Sequence, residues 1–434
     1  MPAPRVFLAE KPSQGGDIAR ILGIAKRHEG YIETRSGDIV TWVIGHLLEQ
    51  AQPNAYREEW SKWRWEFLPM VPDSWQHEVV KSKSKQLTVI KKALKSASEV
   101  VIATDAAREG ELIAREVLEH LRYKGKTRRL WASALTDKAL RDALSNLLPG
   151  SAKDALYQAA LSRSHADWLY GMNLSRAATL SVGHKAPVGR VQTPVLSLVV
   201  KRDLEIENFV SSDYYELEAE VETASGHRLK LMHAPSGENR ITDKALATKL
   251  KKQASGAQGP LRVKKTKGAD GAPLPFKLPA LQKVAASKLG LTAQQTLDGA
   301  QALYEAKVIT YPRTDCAHLD PSLKDEVPRI LAALQKMFPK QCATLESKGV
   351  TLRDSTFDAS KLTDHHGIIP TGEQRHLTGA QAKLYELIAI RFMQAMAPDR
   401  RYNATRIEMD ANGVLFLATG KEITEPGWSA IQIQ

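Results

Sequence analysis

Two β-hairpins that lie far apart in this sequence constrain its fold more than any other feature. Tyr214 to Glu222 alternates apolar and polar residues, Arg228 to Met232 does the same, and Ser225-Gly226 sits between them. Far downstream, Thr405 to Asp410 and Val414 to Ala418 flank Asn412-Gly413, the strongest short-range hairpin signal. A lone two-stranded hairpin is marginal in water. Both are therefore expected in one β domain, interrupted by an insertion of roughly 150 residues. The way into that insertion, Gly256 to Pro279, is rich in Gly, Pro and Lys and is expected to be a hinge or exposed loop. Inside it, Ala280–Leu289 and Ala293–Ala306 read as helices, with Gly290 ending the first and Thr292 capping the second.

The first 150 residues follow a different pattern. Arg5–Ala9, Ile39–Ile44 and Glu99–Thr104 are continuous apolar runs of strand length, and helical patterns lie between them. One helix follows the turn Glu10-Lys-Pro-Ser13; another carries Ile113, Val117 and Leu121. Thr136 is placed to cap a third that stops at Pro149-Gly150. Such alternation predicts a parallel α/β sheet. From Ala152 to about Leu180 the pattern is one long helix.

Composition excludes several classes. With 434 residues, 43% hydrophobic and 25% charged, the chain is an ordinary globular protein of about three domains. No apolar run reaches the ~18 residues of a membrane span, and Pro194–Val200 is only strand-sized. No signal peptide is visible at the start, so a cytoplasmic location is expected. Two cysteines, Cys316 and Cys342, exclude a disulfide scaffold and a four-cysteine zinc site. A net charge of +12 and a pI near 9.4 fit either a polyanionic partner or a merely basic surface.

Five constellations could carry chemistry. In Thr104-Asp-Ala-Ala-Arg-Glu-Gly-Glu111, Asp105 stands where an apolar strand ends, the edge at which open α/β sheets bind ligands. Glu10 ends the first strand in the same way. If those strands are neighbours, Glu10, Asp105 and Glu109 converge, and carboxylates without His or Cys suit Mg²⁺ that keeps several waters. The alternative is that the acidic residues only stabilise the first turn of the next helix. In Val308-Ile-Thr-Tyr-Pro-Arg-Thr-Asp315, Pro312 forces Tyr311 into an extended backbone. Arg313 could stabilise its phenolate and bind a phosphate; equally, Tyr311 could simply pack. Asp364-His-His-Gly-Ile-Ile-Pro-Thr371 offers a histidine to donate to a phosphate rather than a zinc site. Gly189-Arg-Val-Gln-Thr-Pro194 reads as a short strand-like element with Arg190 and Gln192 on one face. Arg163, Asp167 and Tyr170 share a helix face, where an intrahelical salt bridge is the plain alternative. His120 stands where a Walker A loop ahead of Gly125-Lys-Thr127 needs glycine, and HExxH and GxSxG are absent, so no ATP site is expected.

The order of these motifs is more specific than any one of them. Leu8-Ala-Glu-Lys-Pro-Ser13, Gly45 to Pro53, Thr104 to Glu111, Ala166 to Gly171, Gly189 to Pro194, Pro275-Phe276, Ile309 to Asp315 and His365 to Thr371 resemble the successive motifs of type IA DNA topoisomerases. The likeness is greatest to the bacterial topoisomerase III branch and runs from Val6 to Trp428. It implies a multidomain α/β plus α and β protein: a Toprim α/β domain within a toroidal core whose C-terminal part is cut short. On that basis 1–150 would be the Toprim domain, with 36–63 contributing to a helical base, and 151–210 the helical DNA-binding base. Residues 211–270 and 396–434 would form a β-rich arch, and 271–395 the inserted domain carrying the nucleophile.

The resemblance implies that Tyr311 attacks a phosphodiester of single-stranded DNA, leaving a 5′-phosphotyrosine and a free 3′-hydroxyl. A strand then passes and the break is resealed without ATP. Glu10 would be the general acid or base, while Lys11 and Arg313 would stabilise charge on the phosphate. Glu10, Asp105 and Glu109 would hold Mg²⁺. His365, Arg190, Gln192, Arg108, Asp167 and Arg163 would contact DNA. Single-stranded regions of negatively supercoiled or catenated duplex are the implied substrate, in the bacterial nucleoid, with a helicase or single-strand-binding protein as further partner. A monomer suffices and no membrane is involved.

This chain departs from the family pattern twice. The family motif Asp-x-Asp-x-Glu reads Asp105-Ala-Ala107-Arg-Glu109, so Ala107 replaces its second aspartate and weaker Mg²⁺ binding is expected. The chain also stops at Gln434, short of the family's usual end, as a fragment or a short form would. Alternative readings are a catalytically impaired single-stranded-DNA-binding protein of this fold, and a Toprim nuclease or primase-like enzyme, neither of which needs Tyr-Pro-Arg.

Overall fold

Arg5–Ala9 is the central strand of a seven-stranded sheet in the computed structural model, which describes residues 3–132, 135–234, 240–363 and 365–432. Ile39–Trp42 lies parallel to it on one side and Glu99–Ala103 on the other, with Lys126–Arg129 parallel beyond. The three inner strands are largely apolar because both of their faces are covered, whereas Lys126–Arg129 reads Lys-Thr-Arg-Arg. Val6, Leu8, Val100 and Ile102 pack with Ile90, Ile113 and Val117 of the flanking helices. The sheet is mixed rather than wholly parallel: Ile24–His28, Tyr31–Thr34 and Leu148–Pro149 add antiparallel strands toward its edges. Ile39–Trp42 belongs to this sheet, whereas Trp60, further along the 36–63 segment, packs against Trp168 and Met70.

The chain divides into two compact units. The first comprises Met1–Lys201, Pro275–Leu334 and Asp354–Ala389; the second comprises Arg202–Leu274, Gln335–Arg353 and Ile390–Gln434. In the second, the two hairpins do meet in one sheet. Its order runs Glu218–Glu222, Arg228–His233, Val414–Glu425, Arg400–Ala411 and Arg262–Asp270, with Met232 opposite Leu417. Asn412 and Gly413 both have positive φ, 56° and 84°, as the two-residue turn between the long strands requires. Leu231, Met409, Val414 and Phe416 form its core.

Two expectations fail here. Gly256–Pro279 is not simply a loop, because Arg262–Asp270 pairs antiparallel along its whole length with residues 400–408, from Arg262 opposite Glu408 to Asp270 opposite Arg400. Its lysines are compatible with that place because an edge strand leaves alternate side chains in water. Gly189–Pro194 is not a strand: the backbone turns into the helix Gln192–Glu207, which also takes up the apolar run Pro194–Val200. Pro194 sits in the first turn, where its missing N–H costs nothing.

The first unit also holds the helix Asp154–Val182, ended by Gly183 in the left-handed conformation at φ 72°. The two helices of the insertion form as their caps dictate: Leu278–Leu289 stops at Gly290, and Thr292 with Gln295 makes a capping box for Ala293–Glu305. Among the described residues, no helix is long and apolar enough to cross a membrane.

Candidate active site

The register of the central sheet brings the two strand-end carboxylates together. Ala9 pairs with Ala103, so Glu10 and Asp105 leave adjacent parallel strands side by side. The Asp105 backbone N–H donates to Glu10 Oε2 at 3.1 Å. Gln14, one turn into the next helix, serves both: its Oε1 accepts from the Glu10 N–H at 2.8 Å and its Nε2 donates to Asp105 Oδ1 at 3.2 Å. Burial and then the charge of Asp105 push the Glu10 carboxyl up to about 7. Burial also raises Asp105.

The turn after Asp105 is held by a buried ion pair that the sequence did not announce. Arg129 is fully buried and its guanidinium donates to Glu111 and to the carbonyls of Thr104 and Asp105, the last two at 2.8 Å. Gly110 is required in this turn because a Cβ there would stand 2.2 Å from the Asp105 carbonyl oxygen. Glu109 does not join Glu10 and Asp105 as expected. It faces His46 Nε2 at 3.6 Å and Arg313 Nη1 at 3.6 Å, and its side chain is 60% exposed. Glu109 lies in the first turn of the helix Arg108–His120, where these two partners take up its carboxylate, although its charge still contributes to raising Glu10. Among the described residues no three metal-ligating side chains cluster.

Tyr311 follows the Ala293–Glu305 helix and is 5% exposed. Its ring lies 4.4 Å from that of His365 and edge-on to Tyr304 at 5.3 Å. Burial raises the phenol's pKa, the charges of Asp105 and Glu10 raise it further, and Arg313 opposes them. His365 is held neutral, its pKa pushed down to about 3 by burial and by neighbouring His366, with the Ala106 backbone facing the ring. Asp364, its neighbour in the motif, lies outside the described residues.

Next to the Glu10–Asp105 pair, whose charges act on Tyr311, lies a cavity of about 590 Å³. Tyr311, His365, Arg313 and Ala107 line it together with Arg108, Arg163 and Asp167. The rim is a chain of ion pairs: Asp167 accepts from Arg190 Nε at 2.6 Å and lies 3.7 Å from Arg163 Nε. The intrahelical pair therefore exists, and both of its residues also line the cavity. Gln192 begins the next helix rather than sharing a strand face with Arg190. Lys11 occupies the N-cap position of the Pro12–Leu22 helix without a side-chain capping bond, and its Nζ lies 2.7 Å from Glu305 Oε1. Sequence reasoning missed Gln14, His46, Glu111, Arg129 and Glu305; only the helical spacing of Gln14 from Glu10 and the place of His46 in the Gly45–Pro53 motif hinted at any of them.

A Toprim α/β domain with two strand-end carboxylates, facing a buried tyrosine from an insertion, defines a class, and the comparisons agree with it. Residues 5–135 match the Toprim domain family and residues 151–434 the DNA topoisomerase family. The chain belongs to the type IA DNA topoisomerases, a family of isomerases. It is 38% identical to DNA topoisomerase 3 of Vibrio cholerae over 98% of this chain and 70% of that protein. It is 37% identical to DNA topoisomerase 3 of Bacillus subtilis over 98% of this chain and 59% of that one. The chain thus spans only part of these relatives' length. The fold is shared with full-length topoisomerase I from Thermotoga maritima, at a TM-score of 0.70 and 24% identity, covering 98% of this chain and 67% of that one.

Proposed function

We propose that this protein is a topoisomerase III-like enzyme that cuts one DNA strand with Tyr311, lets another strand pass and reseals the break without ATP. The observation that carries this reading is the meeting of Tyr311, Arg313 and His365 in one cavity beside the Glu10–Asp105 pair. Tyr311 Oη attacks the phosphorus, and the bond from phosphorus to the 3′ oxygen breaks. The phenol gives up its proton to solvent water in the cavity as the new bond forms, and Glu10 supplies one to the departing 3′ oxygen. With its pKa near 7, Glu10 can hold that proton or take it back at neutral pH. Resealing is the reverse, and one phosphodiester is exchanged for another.

Arg313 and Lys11 offset negative charge on the phosphate, which also lowers the barrier to forming phenolate. Neutral His365 can donate a hydrogen bond to the DNA without adding charge. Arg163, Arg190 and Arg108 supply the rim's positive charge for the backbone of a single strand, with Asp167 orienting the first two and Gln192 beside them.

Glu10 and Asp105 fit Mg²⁺, since a hard cation commonly takes only one or two protein carboxylates and Asp105's charge already raises Glu10. The ion would bring positive charge to the phosphate and keep the broken ends in place. Ala107 contributes no oxygen, and Glu109 is engaged with His46 and Arg313, so binding should be weak. These two features favour a second reading, a DNA-binding protein with poor turnover. Single-stranded stretches of negatively supercoiled or catenated DNA are the proposed substrate, with a helicase or single-strand-binding protein as the proposed further partner.

Incubation with a single-stranded oligonucleotide, followed by denaturation, separates these readings. A covalent 5′-linked adduct that disappears in Tyr311→Phe is expected. Binding without adduct would support the second reading, and cleavage persisting in Tyr311→Phe would sink both.

A further inference from the structure

Lys11 and Glu305 are both placed against the field of their own helices. Lys11 is the N-cap of Pro12–Leu22, at the positive end of that helix, and no side chain caps it. Glu305 is the last residue of Ala293–Glu305, at the negative end. Each position is locally unfavourable for its charge, and residues that break a local rule commonly do so for function. The two come from segments 294 residues apart in the chain, yet Lys11 Nζ lies 2.7 Å from Glu305 Oε1. Gln301, one turn back on the same helix, donates to that oxygen at 3.0 Å and fixes it.

A helix N-terminus carrying a lysine is a setting for an anion. Here a carboxylate of the tyrosine-bearing segment fills it. Building on the proposed role of Lys11 toward the scissile phosphate, we infer that Glu305 is a positioning residue that occupies the phosphate's place at Lys11 and is displaced when DNA enters. Glu305 keeps the lysine extended toward the site when no substrate is bound. A phosphate then exchanges for a carboxylate, so the ammonium is never left without a counter-charge.

The exchange also touches how the insertion is held to the Toprim domain. Among the described residues three other ion pairs join them: Lys307 to Asp17 at 2.5 Å, Lys138 to Glu326, and Arg313 to Glu109 at 3.6 Å. DNA entry would release the Lys11–Glu305 contact and leave the Lys307–Asp17 and Lys138–Glu326 pairs, which lie away from the phosphate. Binding of the strand and loosening of the tyrosine-bearing segment thereby become one event at one lysine.

The test is a double-mutant cycle on single-stranded oligonucleotide affinity, read by fluorescence anisotropy, with the covalent adduct as a second readout. Glu305→Gln removes the competing charge at constant shape and should tighten binding about twofold to fivefold, the scale of a half-exposed ion pair. Lys11→Ala should weaken binding, and adding Glu305→Gln to it should change nothing further. Glu305→Ala, which also removes the charge, should tighten binding in the same direction. A gain of affinity is an outcome that a merely structural glutamate would not produce. Unchanged or weaker binding in both Glu305 variants, with Lys11→Ala still weakened, would overturn the inference while leaving the role of Lys11 intact. Full binding and full adduct in Lys11→Ala would overturn that role, and the inference with it.

Discussion

The floor and the rim of the same cavity are built on opposite electrostatic terms. The floor, taken as Tyr311 and His365 together with the Glu10–Asp105 pair that adjoins the cavity, is largely out of water, and burial is the first cause of every shift in the protonation of these four groups. At the rim, Glu109, Arg313, Arg163, Asp167 and Arg190 are half exposed and pair with one another. Desolvated groups hold protons at unusual pH and so suit proton transfer. Exposed ion pairs are worth ~0–1 kcal/mol each and can trade a carboxylate for a phosphate at little cost. Chemistry is thus expected to depend steeply on the floor, and affinity gradually on the rim.

Replacing Glu10 by Gln tests the floor most directly. Adduct formation should fall by about 10²- to 10⁴-fold, the range of a lost general acid. Without added metal, the parent's cleavage should decline as pH rises through about 7, where Glu10 loses its proton, and this step should vanish in Glu10→Gln. A variant that cleaves at the parent's rate would remove proton transfer from the floor.

Support of the floor is nearly as sensitive. Glu111→Ala leaves the fully buried Arg129 without its carboxylate and should cost about 3–5 kcal/mol of stability in chemical denaturation. Arg190→Ala at the rim, which breaks only a solvent-exposed pair, should leave the same measurement nearly unchanged. Equal losses would erase the distinction.

Ala107→Asp adds an oxygen ligand where the cap of the Arg108–His120 helix meets the cavity. The Mg²⁺ concentration for half-maximal resealing should fall by roughly tenfold, on the scale of adding a ligand or its supporting partner. Superimposable Mg²⁺ curves would show that the floor pair alone sets metal affinity.

The smallest effect belongs to His46, between Glu109 and Glu116. Hydrogen bonding to Glu109, then to Glu116, raises it from 6.5 to about 9. A raised value means its contribution to stability is complete below about 6.5 and lost as pH climbs through about 9. An imidazole titration by NMR should show that midpoint, and His46→Gln should flatten the corresponding slope in stability. A midpoint near 6.5 would place His46 outside the ion-pair chain.

Much of this was legible in the sequence because it is local. Apolar runs gave the parallel strands, Thr292 and Gly290 gave helix limits, and Asn412-Gly413 gave a hairpin turn. The failures share one cause: Pro194–Val200 is apolar enough for a strand or a helix, and Gly256–Pro279 looked like a loop because an edge strand carries loop-like composition. The order of the motifs identified the family, and with it Tyr311 as the residue to examine.

What the sequence alone determined was the elements with clear periodicity, caps or turn residues, that one β domain is interrupted, and which family the chain belongs to. Tertiary structure alone decided which charges meet: Glu10 with Asp105 across two strands, Glu111 with Arg129 beneath them, Glu109 turned to His46 and Arg313, and Lys11 to Glu305. Periodicity and capping are set within a few neighbouring residues. The protonation and partner of a carboxylate are set by whatever the fold packs against it, and for Lys11 and Glu305 that is 294 residues away.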